Sequence, residues 1–344
     1  WAPAGFEVGA AQYDVPFKAP PPIPRPASAM PRLRSAEDDL ALAVEGAGFR
    51  LVFDKVRARI DSWKYQGVEL IKAGPRLDFW RAPTDKDIQA KKSWLQQHLN
   101  RLQHRAERVR VSAGNGSRSV TIEADVRIAP PSFRHAFLCR YTYKLFGSGD
   151  LVLSVNGTPF VNPLDNRGTP QQWPEKLPRI GLSLELQPGF ERVAWYGRGP
   201  GESYSDSQEA ALFGVWRASV DELMTSYMKP QENGNRKDTY WVALTDARGL
   251  GLLAMGRPLI NFSAHHYTAD DLFLAKRALD LVRRDEIILH LDMRQRGLGS
   301  ASCGPEPLPE HEIKPDAFSF SIRLRPFSRD QGPEMDFWRE APGP

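Results

Sequence analysis

Apolar and polar residues alternate along most of this chain, in short runs separated by Gly, Asn, Asp and Pro. The cleanest run is residues 120–128, Val-Thr-Ile-Glu-Ala-Asp-Val-Arg-Ile, where every second side chain is apolar. A period of two puts one face of a strand in a core and the other in water. Similar alternation recurs at 49–54, 58–63, 135–145, 150–155, 179–186, 241–244, 286–292 and 317–324, and a turn at 65–67 leads into 68–71. So many closely spaced strands predict an all-β fold, an antiparallel many-stranded sandwich. Helix is scarce. Apolar residues recurring from Trp94 to Val109 predict one helix over 93–109 with Ser93 as N-cap, and 220–228 predicts a short second one.

Proline interrupts the pattern at 16–32, PFKAPPPIPRPASAMPR. That density excludes a sheet interior and predicts a stiff, extended connector at a domain boundary. Residues 1–15 before it read as the end of a preceding domain, with 5–8 as its last strand. Residues 33–327 carry the sandwich and 328–344 a tail. Opening at Trp1 without a Met, the chain reads as a piece of something longer.

Composition narrows the chemistry. The charges nearly balance, at +4 over 344 residues and with no long basic run, so nucleic acid is not the expected partner. Cys139 and Cys303 are too few and too far apart for a disulfide framework or a CxxC metal pair, which fits a reducing cytoplasm. No apolar run approaches the ~18 residues of a membrane span, and no export signal opens the chain. The histidines lack HxH or HExxH spacing and the glycine runs at 197 and 297 lack GxGxxG, so no metal or nucleotide cofactor is expected in this chain.

Three stretches concentrate polar chemistry. At 195–206, Gly197, Gly199, Pro200 and Gly201 force a tight turn, and Glu202, Tyr204 and Asp206 follow at spacing two, on one face if extended. At 230–236 Gln231, Glu232, Asn233, Asn235 and Arg236 form a corner of amides beside a charge pair, a set suited to sugar hydroxyls or to the turn itself. At 75–88, Arg76, Asp78, Arg81, Asp85 and Asp87 interleave with Phe79 and Trp80, as in a cleft wall or in a loop held by ion pairs. Asp85 and Asp87 are also the one spacing that suggests a cation, without further ligands beside them.

In this order, RLDFWRAPTDKDI (76–88), WYGRGPGESYSD (195–206), KPQENGNR (229–236) and RGLGSASCGP (296–305) resemble the C-terminal domain of glycoside hydrolase family 2 β-galactosidases, over roughly residues 33–327. The resemblance implies a galactose-mutarotase-like β supersandwich, with 1–15 as the end of an immunoglobulin-like domain. It implies a parent enzyme that hydrolyses terminal β-D-galactosides with two glutamates ~5–5.5 Å apart in a TIM barrel. A barrel takes ~250 residues by itself, so this chain is expected to supply no catalytic residue and to be inactive alone. Its implied part is to shape the mouth of the active site. The substrate-binding candidates are Asp85, Asp87, Glu202, Glu232, Asn233, Arg236, Ser300 and Ser302, with a mobile loop at Ile88, Gln89, Ala90, Lys91 and Lys92. Gln89 departs from the family's usual glycine, and 297–304 lacks the Trp that some members stack on the sugar. The implied partners are a galactoside or other carbohydrate, the catalytic barrel and further copies. Mg and Na belong largely outside this domain. The alternative reading is a self-standing carbohydrate-binding or aldose-epimerase-like module, with His265, His266 and Glu232 as acid and base.

Overall fold

The computed structural model of the chain describes residues 1–13, 15–17, 20–114, 116–161 and 172–343. Positions 18 and 19 of the proline-rich run lie outside them. Two antiparallel sheets dominate. A five-stranded meander occupies Arg34–Glu37, Ala41–Gly46, Phe49–Asp54, Arg59–Tyr65 and Val68–Glu69. A twelve-stranded sheet runs from the edge strand Leu212–Ser219 to the opposite edge Gln103–Gly114.

The large sheet turns a corner on one strand. The first part of Leu250–His265 pairs with Phe318–Ser328 as far as Gly256, and from Asn261 its second part pairs with Ile287–Gln295 instead. Pro258 lies between the two ladders, where a residue without an N–H costs no ladder hydrogen bond. Beyond the corner, Ile287–Gln295, Arg179–Leu186 and Ile71–Asp78 lie side by side. The core runs between the sheets and buries Trp63, Trp94 and Trp195 among leucines, isoleucines and phenylalanines. No described helix is long and apolar enough to cross a membrane.

The strands read from alternation are all present. Ser119–Ala129 shows the cleanest alternation of buried and half-buried side chains. Residues 93–109 need correction. The helix is Ile88–Gln96, it stops where His98 adopts a left-handed conformation (φ 52°), and Gln103–Gly114 is an edge strand. A register shift between Ala106 and Arg108 adds one residue to that strand, so Ala106 and Val109 share a face three positions apart. A bulge thus imitates helical spacing. The second helix is shorter than expected, Val220–Leu223, closed by a Ser219–Glu222 capping box. Two further short helices, Ala269–Leu274 and Glu334–Arg339, span too few residues to show a period.

Residues 5–8 form no strand. Phe6 N–H closes a turn on the Pro3 carbonyl (3.1 Å), and the Gln12 amide exchanges hydrogen bonds with the Phe213 main chain. The described part of the proline-rich run is docked on the body, with a strand at Ile23–Pro26 and a single 3-10 turn at Ala27–Ala29. Ile23–Pro26 pairs in parallel with Glu340–Gly343, and Ala27 and Met30 are buried against Phe146.

Candidate functional site

The four polar segments, separated by up to about 200 residues, meet on one rim. Arg81 is fully buried and donates to both Asp87 carboxylate oxygens (2.9 and 3.0 Å) and to the Arg296 carbonyl (2.6 Å). Arg296 donates to Asp87 (2.6 Å) and, through a bidentate pair, to Glu312 (2.7 and 2.9 Å). The two guanidinium groups lie over the Trp94 ring, at 5.8 and 6.0 Å. Asp85 N–H donates to Gln231 Oε1 (2.9 Å), and Glu232 N–H to the Ala82 carbonyl (3.2 Å). Asp206 accepts from the Leu298 and Gly299 amides (2.9 and 2.7 Å). Gly297 permits that approach, because a Cβ there would stand 2.5 Å from Asp206 Oδ2.

Beneath the rim lies a polar sheet face. Arg179, Gly181, Ser183 and Glu185 alternate along one strand, and His290 and Asp292 along its neighbour, among apolar residues that point to the opposite side. Arg179 is buried with Asp292 at 3.3 Å and Glu232 at 3.6 Å. Burial pushes the Asp292 carboxyl up to about 7 and raises that of Glu232, in both cases against the opposing charge of Arg179. Neither Asp292 oxygen accepts a hydrogen bond, and the buried Tyr204 hydroxyl makes none. Beside them His265 holds the Asn233 carbonyl through Nε2 (2.9 Å), and burial lowers its pKa to about 4.

The structure therefore divides the candidates. Asp85, Ile88, Gln89, Ser300 and Ser302 are exposed on the rim, and Cys303 joins them. Ile88, Gln89, Ala90, Lys91 and Lys92 form the first turns of the helix Ile88–Gln96 rather than an irregular loop. Ala90 packs into the core, which gives the segment an inward face. Asp85 is exposed, whereas Asp87 is buried. It caps Thr84 N–H (2.9 Å) and neutralises two arginines. Among the described residues no three His, Cys, Asp or Glu side chains are grouped to hold a metal ion.

The amide corner is turned inward. Asn233 accepts from Thr225 N–H (3.0 Å) and donates to the Gln231 carbonyl (2.9 Å). Arg236 donates to the carbonyls of Leu223 (2.7 Å), Gly234 (2.6 Å) and Pro200 (3.0 Å). Glu202 accepts from Gly234 N–H (2.7 Å) and from the Tyr227 hydroxyl. These side chains shape the rim by holding its backbone, because buried loop amides and carbonyls need partners. His266 is likewise engaged, by the Arg284 carbonyl (3.0 Å) and Glu191 (3.0 Å). Sequence reasoning passed over Arg179, His290, Asp292, Arg296 and Glu312. For Arg179, His290 and Asp292 the available signal was polar residues at every second position in strands otherwise apolar enough to be buried on both faces, whereas Arg296 and Glu312 lie outside the strands.

Comparison with known proteins adds a family. The model described as "Beta galactosidase small chain" matches residues 45–324. A β-galactosidase of Priestia megaterium is 30% identical over 305 residues, covering 87% of this chain and 27% of that protein. One from Arthrobacter sp. strain B7 is 31% identical over 94% of this chain and 32% of its own length. A Kluyveromyces lactis β-galactosidase is 28% identical, with 93% of this chain and 30% of that protein covered. The chain thus spans about a third or less of these relatives. Among solved structures, a galactose 1-epimerase from Lactobacillus acidophilus aligns at TM-score 0.41 and 10% identity, covering 87% of this chain and 99% of that one.

Proposed function

Because this chain belongs to the β-galactosidase small-chain family, we propose that it is the C-terminal β-sandwich of a β-galactosidase and walls the mouth of that enzyme's active site. The supporting observation is the rim. Ion pairs and main-chain hydrogen bonds gather segments 76–88, 195–206, 229–236 and 296–305 and leave Asp85, Gln89, Ser300 and Ser302 facing outward. Side chains held on so rigid a base suit the positioning of sugar hydroxyls. The two glutamates that cleave the glycosidic bond belong to the remaining two-thirds of the parent enzyme, in a barrel that docks on this rim. Mg and Na, where the parent uses them, belong with that barrel.

The test is hydrolysis of a chromogenic β-galactoside by this chain alone, by the barrel-bearing portion alone, and by the two mixed. Turnover is expected only in the mixture. It should fall when Asp85 and Ser300 are replaced by alanine together, with KM rising more than kcat falls. Turnover by this chain alone, surviving removal of contaminating enzymes, would sink the proposal.

A further inference from the structure

On the polar sheet face beneath the rim, the strands Ile71–Asp78, Arg179–Leu186 and Ile287–Gln295 and the start of the helix Ala269–Leu274 line a half-open cavity of about 340 Å³. That is the small end of the ~300–1,000 Å³ range of ligand sites. Strand register builds its floor. Arg76 stands opposite Ser183 and Ser183 opposite His290, so the three side chains lie in one row on one face. Asp78, two residues along from Arg76, points to the same face, and Asp270 faces them from the helix while accepting the Trp80 indole N–H (2.9 Å).

A buried ring nitrogen in this cavity lacks a partner. His290 is 6% exposed, and its Nδ1 makes no hydrogen bond. The nearest acid, Asp78, is 3.9 Å away, beyond hydrogen-bond reach. A buried imidazole nitrogen left open on a cavity is completed by what fills the cavity. Burial holds His290 well below the usual histidine range, so it enters neutral, with one donor and one acceptor.

Charge selects the occupant. Asp78, Glu185, Asp270 and Asp271 outnumber Arg76 and Arg284, and Arg284 is already paired with Asp271 (2.6 and 3.0 Å). An anion would be repelled. Among the described residues the acids are not grouped three together for a metal ion. A ligand with several O–H groups fits both parts of the lining, donating to the carboxylates and accepting from Arg76 and His290. We propose that this cavity is a second small-molecule site, lined by none of the outward-facing rim side chains Asp85, Gln89, Ser300 and Ser302, and that it binds a neutral polyol of monosaccharide size.

The test uses D-galactose and D-glucitol as probes with this chain, followed by calorimetry and by the NMR resonances of the His290 ring. Saturable binding in the millimolar range with a shift of the His290 signals is expected for at least one probe. Losing a hydrogen bond to a charged group should make Asp78→Asn bind about tenfold more weakly or worse. Ser183→Leu, which fills the cavity without removing a charge, should abolish binding while the variant stays folded by circular dichroism. Three outcomes overturn the proposal: no binding of either probe, binding that both variants leave unchanged, or inorganic phosphate displacing the polyol. None of these bears on the mixing experiment, so the two readings fail separately.

Discussion

Asp87 has both oxygens taken by Arg81, Arg296 and Thr84 in a fully buried setting, so its role is read from its partners. Removing it leaves two buried guanidinium groups without that countercharge. Asp87→Ala should lower unfolding stability in urea by about 3–5 kcal/mol, with Asp87→Asn less damaging because the amide oxygen still caps Thr84. A loss below about 1 kcal/mol, the worth of a surface pair, would show that the cluster is not desolvated as drawn. His265 carries a pH prediction. Its folded pKa of about 4 lies below the ordinary 6.5. Between those values the unfolded chain binds a proton that the folded chain refuses, so His265 removes stability as pH falls from about 6.5 to about 4. Asp292 acts in the opposite sense, since a carboxyl raised to about 7 loses stability as pH rises from about 4 to 7. Only the difference between variants separates them. His265→Gln should flatten the acid limb of the urea stability curve, and an unchanged slope would contradict the burial assigned to it. At this scale the sequence marked Asp87, Glu232 and Asn233 as polar and unusual, and it could not say which way they face. Arg296 lies 209 residues from Asp87.

Strands were legible wherever one face is wet. At residues 120–128 the side-chain period follows directly from the pleat. Legibility failed at 103–109, where a bulge shifts the period, and at 328–343, where the helix Glu334–Arg339 is too short to declare itself. The strand Arg179–Leu186 shows what central position demands. Gly181 lies opposite Asp78 on one side and Asp292 on the other, and a Cβ there would run into Asp292 Oδ1 and stand 2.6 Å from its Cα. Gly181→Ala should therefore cost about 1–3 kcal/mol in a urea titration by forcing strands apart. Gly201→Ala, whose Cβ meets nothing within 4 Å, should stay within about 0.5 kcal/mol. Equal effects would mean that the spacing beside Asp292 is not what limits position 181.

At the scale of the molecule, the C-terminal segment is part of the body. Phe337 is buried with Trp241, Met255 and Phe327, and Arg323 donates to the carbonyls of Phe337 (2.9 Å) and Glu340 (2.6 Å). Arg325 lies over the Phe337 ring, 4.5 Å from its centroid. Truncation after Gly332 should cost at least the ~1.5–3 kcal/mol of burying one large apolar side chain. It should also free Ile23–Pro26 for proteolysis, because among the described residues that strand pairs only with Glu340–Gly343. Unchanged melting and cleavage would make the segment an appendage. By itself the sequence determined the β character and the family, because alternation and motif are each written in neighbouring residues. It did not determine the rim, the carbonyl cage around Arg236, the Arg179–Asp292–Glu232 cluster or the cavity before His290. Those exist only where the chain returns to itself after tens to hundreds of residues, and burial and pairing, which set their charges and directions, belong to the folded chain alone.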